Sequence, residues 1–150
     1  MEDAYIYDTV RSPRGRGKKG SLNELTAVAL SAKILKELRE RNSLNTEEIE
    51  DVIWGNVTQV GEQGGCLARS AVIAANYSES TPGLSINRFC ASGLEAVNLA
   101  TNQVKGSAGN GYVAGGVEMM SRVPMGSDGA AIAVDPTLAM NSYFVPQGIS

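Results

Sequence analysis

Residues 85–94 read Ser85-Ile86-Asn87-Arg88-Phe89-Cys90-Ala91-Ser92-Gly93-Leu94. On the upstream side, Leu84 to Arg88 follows the chain-breaking pair Thr81-Pro82 and has the composition of a short strand. On the downstream side, Ser92 and Glu95 have the spacing of a capping box, in which hydroxyl and carboxylate satisfy unpaired N–H groups at a helix start. The stretch therefore predicts a strand, a tight turn and a helix from about Ser92 to Val104, with Cys90 in the turn. A thiol placed there lies near the unpaired N–H groups and positive end of the helix dipole, which favours thiolate. Ala91 and Gly93 leave room beside the sulfur. Position alone is equally compatible with a small, inert, buried cysteine.

Working outward, the pattern alternates. Ala4 to Val10 predicts a first strand that ends before Pro13. Ser21-Leu22-Asn23-Glu24 has the form of a capping box. Behind it, Leu22, Leu25, Ala29, Ala32, Leu35 and Leu38 make an apolar helical stripe. Lys33, Lys36, Glu37, Arg39, Glu40 and Arg41 form the wet face, with Glu37 and Arg41 at i,i+4. Asn45 to Glu50 predicts one capped turn, Val52 to Val57 a second strand, Leu67 to Asn76 a small helix and Gly111 to Val117 a fourth strand. Strands alternating with helices imply an α/β domain with a mostly parallel sheet and helices on its faces.

The helix after Cys90 has one charged side chain, Glu95, between Ala91 and Val104. Leu94, Val97, Thr101 and Val104 form one stripe, and Ala96, Leu99 and Ala100 extend the apolar surface around the cylinder. Such a helix is buried on most sides. One sheet covers a single face, so a second layer is expected from a partner subunit or from further sequence, the alternative being a snug interior helix in a complete small domain.

Composition narrows the chemistry. The 150 residues carry 13 Lys+Arg against 16 Asp+Glu, a net charge of −3, which argues against a nucleic-acid partner. There is no histidine, so any histidine the chemistry needs comes from elsewhere. Cys66 and Cys90 are too far apart for a CxxC motif, and two thiols do not make a disulfide framework. Cys66, in Gly64-Gly65-Cys66-Leu67, also precedes a helix and is expected to have a packing role. No signal peptide or apolar run of membrane-spanning length is read, and the expected location is the cytoplasm. Arg11, Arg14, Arg16, Lys18 and Lys19 lie among glycines without the spacing of a phosphate-binding loop, so a solvated basic loop is expected.

At Cys90 the chain resembles the thiolase family. That family's nucleophile signature is an aliphatic residue, Asn, two variable residues, Cys, a small residue, Ser or Thr, and Gly. Ile86, Asn87, Arg88, Phe89, Cys90, Ala91, Ser92 and Gly93 fill those places. Gly115-Gly116-Val117-Glu118-Met119-Met120-Ser121 is similar to the family's GG-x-E-x-M-S strand end. Arg11-Ser12-Pro13 with its Gly-rich loop resembles the usual N-terminus, and Phe144-Val145-Pro146-Gln147-Gly148 resembles a segment of the loop domain.

The resemblance implies an acyl-CoA acyltransferase that cleaves 3-ketoacyl-CoA with CoA, or condenses two acyl-CoA molecules, through an acyl thioester on Cys90. It implies that the Cys90 backbone N–H contributes to an oxyanion hole. CoA and acyl-CoA enter as substrates, with no metal and no bound cofactor. The implied architecture is a thiolase-like βαβαβαβ half, residues 1–121, followed by the beginning of a loop domain at 122–150. A second, similar C-terminal half absent from this chain would supply the histidine, asparagine and second cysteine of the site. Homo-oligomers are the family norm. Two alternatives stand beside this: another condensing enzyme of the same fold, of ketoacyl synthase or hydroxymethylglutaryl-CoA synthase type, and a non-catalytic assembly module.

Overall fold

A computed structural model describes residues 3–17, 19–129 and 135–137. Three parallel strands form its sheet: β1 (Asp51–Gly55), β2 (Gly83–Ile86) and β3 (Tyr112–Gly116), in the order β2-β1-β3. Among the described residues they are accompanied by α1 (Ala27–Asn42), α2 (Leu67–Ala74) and α3 (Ser92–Lys105). Single 3-10 turns at Thr46–Glu48 and Gly61–Gln63 flank β1.

β1 is the central strand, and its side chains point alternately to two cores. Val52 and Trp54 face α1 and α2, meeting Leu35, Leu67, Ala68, Ala71 and Val72. Ile53 faces the other way, onto Ala96 and Ala100 of α3. A strand covered on both faces reads as a continuous apolar run rather than an alternation, as Val52-Ile53-Trp54 does. Trp54 meets the usual condition for burying an indole, since its Nε1–H donates to the buried Ser31 hydroxyl at 3.0 Å.

Glycine sets how closely these layers approach. Trp54 is in register with Gly115, where a Cβ would lie 2.6 Å from the indole ring. Gly83 on β2 faces the backbone of Ala68 and Arg69 in α2, so its bare Cα lets that helix settle against the sheet.

The structure corrects several expectations. Ala4 to Val10 does not form a strand: Tyr5, Ile6 and Tyr7 are exposed, and the segment faces β3 across a cleft of about 1340 Å³. Strand propensity needs a ladder partner, and this segment is instead held to the end of α1. Its Asp8 accepts from Asn42 Nδ2 at 2.8 Å and lies 3.6 Å from Arg41. Arg41 is thus paired with Asp8 rather than with Glu37.

Helix α1 begins at Ala27, with the Thr26 hydroxyl accepting from Ala29 N at 3.1 Å, and Ser21–Glu24 is a turn ahead of it. Arg39 leaves the wet face and donates to the carbonyls of Ala75 and Asn76 at 2.9 and 2.7 Å, satisfying backbone acceptors at the end of α2. On α3 the sheet-facing residues are the small ones, Ala96 and Ala100, while Leu94 is 66% exposed. Small side chains allow the closer approach, and Leu94 turns away from the sheet. The segment Phe144–Gly148 lies outside the described residues.

Tyr77 joins α1 to the end of α2 by donating its hydroxyl to the Leu35 carbonyl at 2.9 Å. Burial pushes its pKa up to about 12, against an ordinary value of 10.0. The folded state therefore holds this proton more tightly than the unfolded chain does, and the stability it contributes below pH 10 is lost as the pH rises towards about 12. Urea unfolding across that range should show the loss. In Tyr77→Phe the slope should flatten, on top of a pH-independent cost of about 1 kcal/mol for the lost hydrogen bond.

Candidate functional site

The turn between β2 and α3 is built from its own residues. Asn87 Oδ1 accepts from the Phe89 N–H at 2.8 Å, closing a short side-chain loop over the backbone. Ser92 Oγ accepts from Arg88 N at 2.8 Å and donates to the Phe89 carbonyl at 2.6 Å. Phe89 takes a left-handed conformation, φ 46°, which costs a bulky L-residue about 1–3 kcal/mol. These hydrogen bonds hold it there, and the next residue, Cys90, is exposed.

The capping box expected at Ser92 and Glu95 is not formed. Ala91 is the N-cap, with no side-chain cap bond, because the Ser92 hydroxyl is already turned back onto Arg88 and Phe89. Glu95 pairs with Arg88 at 3.3 Å instead.

Cys90 lines a cavity of about 740 Å³. Its walls come from four places: Phe89, Cys90 and Gly93 at the start of α3, Asn56 to Thr58 after β1, Gly116 to Glu118 at the end of β3, and Met125, Gly126 and Asp128 further on. The cavity therefore sits beyond the carboxyl ends of parallel strands. Crossovers leave the neighbouring strands β1 and β2 on opposite faces, to α2 from β1 and to α3 from β2, which is where open α/β sheets form ligand crevices. Gly55 makes the junction possible. A Cβ there would lie 2.6 Å from the Ser92 carbonyl carbon and 2.7 Å from Gly93 N.

Glu118 had no role assigned from sequence, and the structure gives it one. Its Oε2 accepts from Val57 N at 2.8 Å and Asn56 Nδ2 at 3.3 Å. Oε1 accepts from Gln63 Nε2 at 2.9 Å and Thr58 N at 3.3 Å. Gln63 is fully buried, and its own Oε1 accepts from Met119 N at 2.7 Å. Asn56 is also buried, with an Oδ1 that has no hydrogen-bond partner. The glutamate of a motif was visible in the sequence, but its partners lie about sixty positions away and carry no spacing signal.

Cys66 does not join this cavity. It stands at the start of α2, exposed rather than packed away, with its Sγ–H donating to the Gly83 carbonyl at 3.2 Å. Arg11, Arg14, Arg16 and Lys19 are exposed, as a solvated basic loop requires, and Lys18 lies outside the described residues. No helix among the described residues is long and apolar enough to cross a membrane.

A family model described as the thiolase N-terminal domain matches residues 4–147. The chain is 42% identical over 142 residues to the 3-ketoacyl-CoA thiolase of Colwellia psychrerythraea, covering 94% of this chain and 36% of the relative. It is 40% identical over 126 residues to that of Pseudoalteromonas atlantica, covering 83% and 33%. The crystal structure of the Bacillus anthracis acetyl-CoA acetyltransferase superposes with a TM-score of 0.64 at 34% identity, over 68% of this chain and 26% of that one. The chain thus spans about a third of the length of the curated relatives it matches.

Gly55→Ala forces a methyl against the backbone of α3. It should lower stability by about 1–3 kcal/mol in urea unfolding and alter the alkylation rate of Cys90 relative to Cys66. Gly93→Ala, whose Cβ meets nothing within 4 Å, should leave stability unchanged or raise it.

Proposed function

This chain belongs to the thiolase family, and from that premise we propose that Cys90 is the nucleophile of a thiolase-type acyl transfer between CoA thioesters. One observation carries the reading. Cys90 is an exposed thiol on a strained strand-to-helix turn, opening onto a cavity at the carboxyl ends of parallel strands. The chain's similarity to a 3-ketoacyl-CoA thiolase and an acetyl-CoA acetyltransferase supports CoA thioesters as the substrate class.

In the thiolytic direction the Cys90 thiolate attacks the 3-keto carbonyl of a 3-ketoacyl-CoA. The bond between C2 and C3 breaks, and its electron pair leaves as the enolate of acetyl-CoA, which takes up a proton. The shortened acyl group stays on Cys90 as a thioester. A CoA thiolate then attacks that thioester and releases the new acyl-CoA, returning the electron pair to the Cys90 sulfur. Condensation is the reverse of these steps.

The turn presents the Cys90 N–H beside the same sulfur, and this N–H is assigned to the oxyanion that forms on the attacked carbonyl. The 150 residues hold no histidine, so the proton transfers at the thiol and at C2 are assigned to groups outside them. Residues 1–121 make up the N-terminal α/β domain in this reading, and 122–150 begin a loop domain. The exposed Leu94 on α3 and Leu84 on the β2 edge support a further layer, from more chain or from another copy in a homo-oligomer. We place the enzyme in the cytoplasm, with no bound cofactor.

The test is the intact mass before and after incubation with acetyl-CoA, followed by peptide mapping. A single acetyl thioester on Cys90, absent from Cys66 and from Cys90→Ala, is the expected result. Acylation confined to Cys66, or none on any cysteine of the intact protein, would overturn the reading.

A further inference from the structure

We propose that Glu118 is a positioning residue for Cys90, acting through the backbone of Val57. The inference rests on the reading of Cys90 as the nucleophile and extends it to a residue that does not touch the reacting atoms.

The route is a chain of three hydrogen bonds. Glu118 Oε2 accepts from the Val57 N–H at 2.8 Å. The carbonyl of the same residue accepts from Asn87 Nδ2 at 3.2 Å. Asn87 Oδ1 then accepts from the Phe89 N–H at 2.8 Å, next to Cys90. Val57 is thus held from both sides, by a carboxylate after β3 and by an amide in the Cys90 turn. A shift at the Val57 N–H is passed across its Cα to its carbonyl and so moves the Asn87 amide, and with it the bond that holds Phe89 in its left-handed conformation.

The chemistry of the cradle calls for a carboxylate. Its four partners, Val57 N, Thr58 N, Asn56 Nδ2 and Gln63 Nε2, are all donors. A carboxylate offers about four acceptor sites and no donor, so it matches this set completely. An amide in its place would aim an NH₂ at N–H groups. The carboxylate's acceptor sites are all occupied, which assigns Glu118 to holding geometry rather than carrying a proton. Gln63 keeps it oriented, since the same amide also donates to the Thr58 carbonyl at 2.9 Å and accepts from Met119 N.

The experiment is a double-mutant cycle in the intact protein, combining Glu118→Gln with Asn87→Ala. The readout is the rate of Cys90 acylation by acetyl-CoA, per folded molecule by circular dichroism. Each single variant should lower the maximal rate roughly tenfold or more, with the half-saturating acetyl-CoA concentration little changed. The double variant should be no slower than the slower single one, because both substitutions break one route. Multiplicative slowing, or a Glu118→Gln protein that acylates at the unsubstituted rate, overturns the proposal. Should Glu118→Gln not fold, Glu118→Asp, which keeps the acceptors but shortens their reach, enters the same cycle with the same two outcomes.

Failure of the underlying reading has a different signature: the unsubstituted protein itself would not acylate at Cys90. The route is then read by iodoacetamide alkylation of Cys90, with Cys66 as reference in the same molecule. Equal, non-additive changes in that ratio support the route, and an unchanged ratio overturns it.

Discussion

Everything around Cys90 depends on how closely the first turn of α3 lies against the end of β1. Gly55 permits a contact in which its missing Cβ would stand 2.6 Å from the backbone of Ser92. That contact brings the β2–α3 turn over the sheet's carboxyl edge, where the loops after β1 and β3 also arrive. A side chain at Gly55 would lift the helix from the sheet and part the walls of the cavity. The sheet-facing residues of α3 follow the same logic, since Ala96 and Ala100 keep the helix axis near Ile53.

The rest of the framework keeps β1 in place. Trp54 fills the space between β1 and α1, donates to Ser31, and occupies the volume that Gly115 leaves open on β3. The two glycines that end β3 are therefore packing requirements: the first admits the indole, and the second would otherwise meet the Gly55 carbonyl oxygen at 2.6 Å. A buried aromatic on the central strand and bare backbone on its neighbour make one joint. Beyond it, Arg122 clamps Glu62 through two nitrogens at 2.6 and 2.5 Å and reaches the Asn23 carbonyl at 3.1 Å. This ties the chain after Glu118 to the lead-in of α1.

Much of this is legible in the sequence. The three strands, α2 and α3 fall within a few residues of their expected places, because each has local apolar patterning and is bounded by Gly, Pro or a cap. The misreadings share a cause. Ser21 and Ser92 each have a glutamate three residues on, yet neither caps a helix. Thr26 caps α1, and the Ser92 hydroxyl finds a nearer use inside the turn. Ala4 to Val10 has strand composition, but composition supplies no partner, and its Asp8 is drawn to the end of α1.

By itself the sequence determined the α/β alternation, the membership of a family and the turn that presents Cys90. That turn is closed by short-range bonds, for Asn87 to Phe89 spans two positions and Ser92 to Arg88 spans four. Only the tertiary structure decided what surrounds that turn. Glu118 meets Val57 across 61 positions, Asn87 meets Val57 across 30, and Gln63 meets Met119 across 56. Contacts at those separations leave no periodicity or spacing in the chain. They exist because strands far apart in sequence end side by side, and their loops must satisfy one another's buried polar groups there.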